Sequence, residues 1–264
     1  MKINQAEYQL FQKLIFDEIG ITLDNNKITL VQSRLYSRLN HHKIKSFSSY
    51  LKIVKENHKE KIEMINLITT NETYFFREEK HFEFLYSIIK QIKINQEFRV
   101  WSAASSVGAE AYSIAMVLDN YLARNQWEVV GTDINTEVIQ KAKQGLYPES
   151  WIDKIPTKYK TKYCLKGRGR FEGEFIVDRS LIQNVHFTVN NLTRSNKTLG
   201  QFDMIFLRNV LLYFNQITKQ QVLNNILDNL KIGGYFIISL TENLDGLDTR
   251  KLVKLKSSIY KKVG

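Results

Sequence analysis

Residues 1–70 carry their apolar positions at helical spacing and show no strand alternation. In "EYQLFQKLIFDEIG", Tyr8, Phe11, Leu14 and Ile15 fall on one helical face, and Gly20 is placed to stop the helix. "NKITLVQSRLYSRLNHH" carries Leu30, Leu35 and Leu39, with Arg34 and Arg38 four apart, and "SFSSYLKIVKEN" and "KEKIEMINLITT" read as further helices. The segment predicts a small all-α domain. From Phe98 the period changes. "FRVWSA", "WEVVGTD", "NVHFTVN", "FDMIFLRN" and "GYFIISL" read as short strands rich in β-branched and aromatic residues. Helical patterns lie between several of them: Ala111, Ile114, Ala115 and Leu118 keep i, i+3, i+4, i+7 spacing, and 135–145 and 216–230 also read as helices. Strands alternating with helices predict a mostly parallel sheet covered on both faces. The stretch 163–180, "YCLKGRGRFEGEFIVDRS", breaks the rhythm, and its Gly167, Gly169 and Gly173 predict tight turns in a small antiparallel β-insertion.

Composition changes this picture little. The chain has 264 residues, 43% hydrophobic and 25% charged, which permits a large core and excludes wholesale disorder. The single cysteine, Cys164, excludes an intramolecular disulfide and fits a reducing compartment. The opening "MKINQAEYQLFQK" lacks the apolar core of a signal peptide, and no apolar run approaches the ~18 residues of a membrane span. A cytoplasmic protein with no membrane insertion is expected. The net charge of +11 suggests an acidic partner, or the surface of a lysine-rich proteome.

Candidate chemistry begins at "RVWSAASSVGAEAYSIAMVL", residues 99–118, a strand, a loop and a helix. Open parallel sheets bind ligands beyond the carboxyl ends of their strands, and the loop Ser102–Gly108 sits at such an end. A dinucleotide fold would place Gly-x-Gly-x-x-Gly there, but only Gly108 is present. The pattern therefore suits a ligand without a pyrophosphate that still needs close backbone approach, such as S-adenosylmethionine, or else an ordinary turn. Asp133, at the end of the next strand, can accept hydrogen bonds from both ribose hydroxyls. Glu110, in the first turn of the following helix, can bind the ligand's ammonium end or simply complement the helix dipole.

"LITTNETYFFREEKHFEFL" (67–85), the loop stretch 99–118, "GTDINTEVIQKAKQGLY" (131–147) and residues 202–244 with "FLRNVLLYF" and "ENL" together resemble the CheR family of chemotaxis receptor methyltransferases, in the right order over nearly the whole chain. The resemblance implies a Rossmann-like α/β methyltransferase domain (71–264) with its small β-insertion, preceded by the helical domain (1–70). It also implies methyl transfer from S-adenosylmethionine, leaving S-adenosylhomocysteine, to glutamate carboxylates on the cytoplasmic helices of methyl-accepting chemoreceptors. By the same resemblance Asn71, Thr73, Arg77, Glu110, Asp133, Asn191, Leu192, Arg208 and Asn209 match cofactor positions, and Arg77 and Tyr213 match positions beside the transferred methyl. The family commonly reads Gly-Glu-Glu-Pro-Tyr-Ser where this chain has Gly-Ala-Glu-Ala-Tyr-Ser. Ala109 and Ala111 thus replace a Glu and a Pro, and loss of the preorganising proline should weaken cofactor binding modestly.

The chemistry asks little of acid–base groups. A glutamate carboxylate, with an unperturbed pKa of about 4.3, is already ionised at neutral pH. The enzyme has to align oxygen, methyl carbon and sulfur without overstabilising a charge that vanishes in the transition state. Arg77 can hold a carboxylate by forked hydrogen bonds, either the substrate's or the cofactor's own, and Tyr213 can donate a hydrogen bond or wall the methyl channel. Between Asn25 and Lys55 stand seven Lys or Arg and no Asp or Glu. The resemblance makes this the receptor-facing surface, with Arg34 and Arg38 as substrate contacts, and the sign suits an acidic substrate. The β-insertion is where some family members grip a receptor tail by strand addition. Two other readings remain. A nucleic-acid methyltransferase would want an Asp/Asn-Pro-Pro-Tyr/Phe motif to hold a flipped base, and there is no Pro-Pro, so no nucleic-acid partner is expected. A non-catalytic adaptor of the same fold has only the altered Ala109 and Ala111 in its favour. The chain is expected to act as a monomer.

Overall fold

The computed structural model describes residues 2–91 and 97–264. Four helices open the chain: α1 (Gln5–Ile19), α2 (Ile28–His41), α3 (Phe47–Glu56) and α4 (His58–Ile68). Local chemistry fixes their ends. Asn4 and Glu7 form a reciprocal capping box at α1, Gly20 ends it in the left-handed conformation at φ 73°, and Asn57 caps α4 through its side chain. Tyr8, Phe11 and Ile15 of α1 enter one core with Val31, Leu35, Leu39, Phe47, Tyr50 and Met64. The periodicity marks Leu30 as core too, but Val31 takes that place, and Leu30 turns to the cavity described below.

After α5 (Lys80–Gln91) the sheet begins, with β1 (Phe98–Ala103), α6 (Ala109–Asp119), β2 (Trp127–Asp133) and α7 (Thr136–Gln144). Next comes the insertion, β3 (Leu146–Pro148), α8 (Thr157–Tyr163), β4 (Cys164–Lys166), β5 (Glu174–Val177) and α9 (Arg179–Ile182). The chain then returns as β6 (Val185–Val189), β7 (Phe202–Leu207), α10 (Gln216–Asn229), β8 (Leu230–Ile238), β9 (Leu252–Lys256) and β10 (Ile259–Lys262). The seven-stranded sheet runs β6-β2-β1-β7-β8-β10-β9. Its first five strands are parallel, and β10 and β9 close it as an antiparallel hairpin. The hairpin is absent from the hydrophobic reading because its two short strands are half lysine and β9 is exposed along most of its length. The small sheet, β3-β5-β4, takes one strand from Leu146–Pro148, upstream of the stretch 163–180.

The structure departs from the periodic reading at α6. Every residue from Ala111 to Leu118 is buried, because the sheet covers one side and α5, α8 and α9 cover the other. A helix enclosed on all sides has no polar face to show. Gly131 in β2 is required by a neighbour: a Cβ there would lie 2.4 Å from Phe187 Cε1.

Arg34 and Arg38 share a face of α2 as the spacing requires, but both are engaged inside the domain rather than left free for the substrate contact the resemblance implies. Arg34 donates to the carbonyls of Ile68 and Thr69 and to Thr70 Oγ1, so it caps the end of α4. Arg38 makes a two-pronged pair with Glu60, Nε to Oε1 at 2.8 Å and Nη2 to Oε2 at 2.6 Å. Tyr50 donates to Glu60 Oε1 at 2.7 Å, and His42 Nε2 lies 2.9 Å from Oε2. The buried Glu60 carboxylate needs such partners, and the half-buried Arg38 supplies two of its hydrogen bonds.

Two outcomes follow from this packing. Burial works against the charge of Glu60, but Arg38, His42 and Tyr50 outweigh it and hold the carboxyl at about 2, below its ordinary 4.5. Its contribution to stability is therefore complete above pH 4.5 and is lost as the pH falls through about 2. Urea midpoints taken across that range should show Glu60→Gln flattening the acid limb. Gly131→Ala should cost about 1–3 kcal/mol by overpacking against Phe187, read from the same unfolding curves.

Candidate functional site

The carboxyl ends of the parallel strands open on a cavity of about 380 Å³, within the range of small-molecule sites. Asn71, Thr73, Arg77, Glu110, Asp133, Asn191, Leu192, Arg208, Asn209 and Tyr213 all line it. Arg34 and Arg38 do not.

The loop after β1 builds the floor. Ala104 (φ 62°), Ser106 (φ 51°) and Gly108 (φ 87°) all take left-handed backbone, so the sharp turn is made with a single glycine. Hydrogen bonds hold it there: Ser105 N–H donates to Thr132 O, Ser106 N–H to Asp133 Oδ2, and Ser106 Oγ to Asn71 O. Asp133 Oδ1 accepts from Asn135 N–H at 3.0 Å. Both carboxylate oxygens are thus aimed, with lone pairs left for a ligand. Burial pushes the Asp133 carboxyl up, against the lowering pull of these N–H groups. Of the six non-glycine residues with positive φ among the described residues, five (Phe76, Glu78, Ala104, Ser106 and Asn209) stand at this site or directly behind it. Backbone strain persists where surrounding structure over-determines it, and such places cluster at binding sites.

The opposite wall is electrostatic. Arg208, at the end of β7, is buried, and its Nη1 pairs with Glu110 Oε2 at 2.7 Å. Glu110 Oε1 accepts from Ser102 Oγ at 2.7 Å. Arg208 Nη1 and Nη2 go to Glu110, Glu78 and the Arg77 carbonyl, and its Nε is left without a partner. Asn209 N–H and Leu211 N–H both donate to Glu242, which also accepts from Ser239 N–H. This explains the late "ENL" motif: its glutamate is the acceptor that shapes the turn carrying Asn209. Asn191 donates from Nδ2 to the Glu18 carbonyl and accepts at Oδ1 from Thr193. Arg77 has one weak contact, Nη1 to Glu72 O at 3.3 Å, and stands over the Tyr74 ring at 5.6 Å. No carboxylate pairs with it among the described residues.

Sequence reasoning missed the roof. Ile19, Ile21 to Asp24, Lys27, Leu30 and Ile68 to Thr70 come from the helical domain and close the cavity from above. Ile21 bridges to Phe214, and Thr22 N–H donates to Tyr213 O at 2.8 Å. Helix periodicity carries no signal for such a contact, because these residues lie in the connection after α1. Three unpaired polar atoms also went unnoticed: Ser105 Oγ, Asn190 Nδ2 and Arg208 Nε are buried without a partner, and all three residues line the cavity. Buried polar groups are ordinarily bonded, so each suits a polar edge of a ligand. Two aimed carboxylates, three orphan polar atoms, an uncommitted guanidinium and apolar Leu192, Ile134 and Val210 fit an adenosine bearing a zwitterionic amino-acid tail.

Comparison with known proteins agrees with this geometry. The family described as "CheR methyltransferase, all-alpha domain" matches residues 6–69, and "CheR methyltransferase, SAM binding domain" matches residues 71–260. A chemotaxis protein methyltransferase of Escherichia coli K12 is 36% identical over 95% of this chain and 88% of its own. Its counterpart from Borreliella burgdorferi is 34% identical over 99% and 96%. One from Salmonella typhimurium is 35% identical over 94% and 87%.

The turn at 209–211 supplies a test. Glu242→Ala leaves three backbone N–H groups without their acceptor. It should lower stability by about 1–3 kcal/mol and S-adenosylmethionine affinity by roughly tenfold or more, measured by urea unfolding and calorimetry. Intact binding would mean that the turn keeps its shape unaided.

Proposed function

Because the chain belongs to the CheR methyltransferase family, and so carries an S-adenosylmethionine-dependent methyltransferase domain, we propose that it esterifies glutamate side chains on the cytoplasmic helices of chemoreceptors. The observation that carries this is a contrast among the cavity's groups: Glu110 and Asp133 are each tied down by hydrogen bonds, while Arg77 pairs with no carboxylate among the described residues. A guanidinium left open in that way suits an incoming carboxylate.

When bound, S-adenosylmethionine supplies a methyl group on a sulfonium leaving group. Asp133 offers its two aimed oxygens to the ribose diol, and the Glu110–Arg208 pair offers a carboxylate to the ammonium end. Ser105 Oγ and Asn190 Nδ2 offer bonds to polar edges of the nucleoside. Arg77 orients an acceptor carboxylate or the cofactor's own, and Tyr213, pinned through its carbonyl by Thr22, walls the transfer path. No histidine or cysteine among the described residues lines the cavity, and an ionised glutamate requires no general base.

The family-implied receptor face now rests on other residues. Lys27, Lys43, Lys45, Lys52 and Lys55 are exposed and have no carboxylate within salt-bridge distance among the described residues, unlike Arg38. Their charge suits an acidic, glutamate-bearing helix and would act mainly on encounter rate. No helix among the described residues is long and apolar enough to cross a membrane, in keeping with action in the cytoplasm, and the chain is taken to work as a monomer.

The test is incubation with methyl-labelled S-adenosylmethionine and a chemoreceptor cytoplasmic fragment, followed by mild base. Base-labile label on the receptor identifies a carboxyl methyl ester. Arg77→Ala should lose most of the label, and Tyr213→Phe should keep cofactor affinity while turning over more slowly. Cofactor binding without label would favour the adaptor reading or another substrate.

A further inference from the structure

Glu78 lies outside the cavity wall, yet two of the wall's polar residues lean on it. It follows Arg77 directly in a left-handed conformation, φ 60°, that turns its side chain toward the end of β8. Its Oε1 accepts from Ser239 Oγ at 2.7 Å. Its Oε2 accepts from Leu240 N–H at 3.1 Å and lies 3.0 Å from Arg208 Nη2. Ser239 Oγ in turn accepts from Asn209 Nδ2 at 2.9 Å. One guanidinium, 2% exposed, therefore stands between two carboxylates, Glu78 behind it and Glu110 in front.

The charge count decides what this arrangement does. Two carboxylates against one guanidinium leave one unit of negative charge in a largely desolvated place, where charges act strongly. Only Glu110 of the two faces the cavity. Were Arg208 paired with Glu110 alone, the pair would be neutral and would offer little to a cation. His81 Nδ1, 3.4 Å from Glu78 Oε2, does not change the count. Burial and the charge of Arg208 hold that imidazole down to about 4, so it is neutral near pH 7. Burial also opposes ionisation of Glu78 itself, but the Ser239 hydrogen bond and Arg208 outweigh it and hold its carboxyl below the ordinary value.

We infer that Glu78 is a positioning residue for cofactor binding: by sharing Arg208 with Glu110, it leaves Glu110 with the surplus negative charge that receives the ammonium of the amino-acid end of S-adenosylmethionine. Through Ser239 it also steadies Asn209. This rests on S-adenosylmethionine as the cofactor and needs no particular methyl acceptor.

The experiment is calorimetry on the full chain with three probes. S-adenosylmethionine and S-adenosylhomocysteine both carry the ammonium, and 5′-methylthioadenosine keeps the nucleoside but has no amino-acid end. In Glu78→Gln, which keeps the shape and removes the charge, affinity for the first two should fall roughly tenfold or more. Affinity for 5′-methylthioadenosine should not change, and Glu78→Asp should recover part of the loss. An unchanged affinity for S-adenosylmethionine overturns the inference. So does an equal loss for all three probes, which would make Glu78 a merely structural residue. If the unaltered chain bound no S-adenosylmethionine, the cofactor assignment would fall and this inference with it.

Discussion

A guanidinium buried at the end of a central strand is the constraint around which the site is arranged. Arg208 cannot be left unpaired: removing one partner of a buried ion pair typically costs about 3–5 kcal/mol. Its partners come from two separate stretches of chain, the Arg77–Glu78 segment before α5 and Glu110 in the first turn of α6. Satisfying one side chain therefore draws the entry to α5, the first loop of the sheet and the β7 turn onto one point. The strained backbone at Phe76, Glu78 and Asn209 is the conformational cost of that convergence, held in place by Ser113, Ser239 and Glu242.

The seam between the helical layer and the sheet is built on the same logic with neutral groups. Asn135 caps α7 with its oxygen and donates its amide to Asn66 O and Thr69 Oγ1, while Asn66 exchanges two bonds with Thr136. Asn191 ties the end of α1 to the loop after β6. Gly20 permits the close approach, since a Cβ there would lie 2.6 Å from Thr193 Cγ2. Buried amides satisfied only across a seam make that seam specific in register. The helical domain thus roofs the cavity and also bears a set of exposed lysines.

Within the cavity the division of labour follows from which groups are already satisfied. Glu110 and Asp133 are oriented before any ligand arrives, so binding wins orientation at little further entropic cost. Arg77 is the exception, held by one long hydrogen bond and an aromatic ring. In the function proposed, methyl transfer to a carboxylate asks for alignment more than for proton traffic, and preorganised carboxylates beside an adaptable guanidinium suit that demand.

The elements were legible in the sequence where a short-range pattern encodes them. The five parallel strands, the helices α6, α7 and α10 among them, the capping glycine at Gly20 and the loop at Ser102–Gly108 all follow from local periodicity and turn chemistry. The family motifs also named ten residues that meet in one cavity, because a motif records residue identities whatever the distance between them. What the sequence left open were the partners. Arg34 and Arg38 read as a free basic face because helical spacing places side chains on a face without saying what packs there, and Glu60 lies twenty-two residues beyond Arg38. Leu30 and Val31 exchanged roles, and α6 lost its polar face, because burial depends on neighbours brought by the fold. Glu78, Glu242 and the roof at 19–24 gained their roles only in three dimensions. Charge sharing and backbone capture are properties of distance, and the chain alone does not specify which distant groups will come within three ångströms of each other.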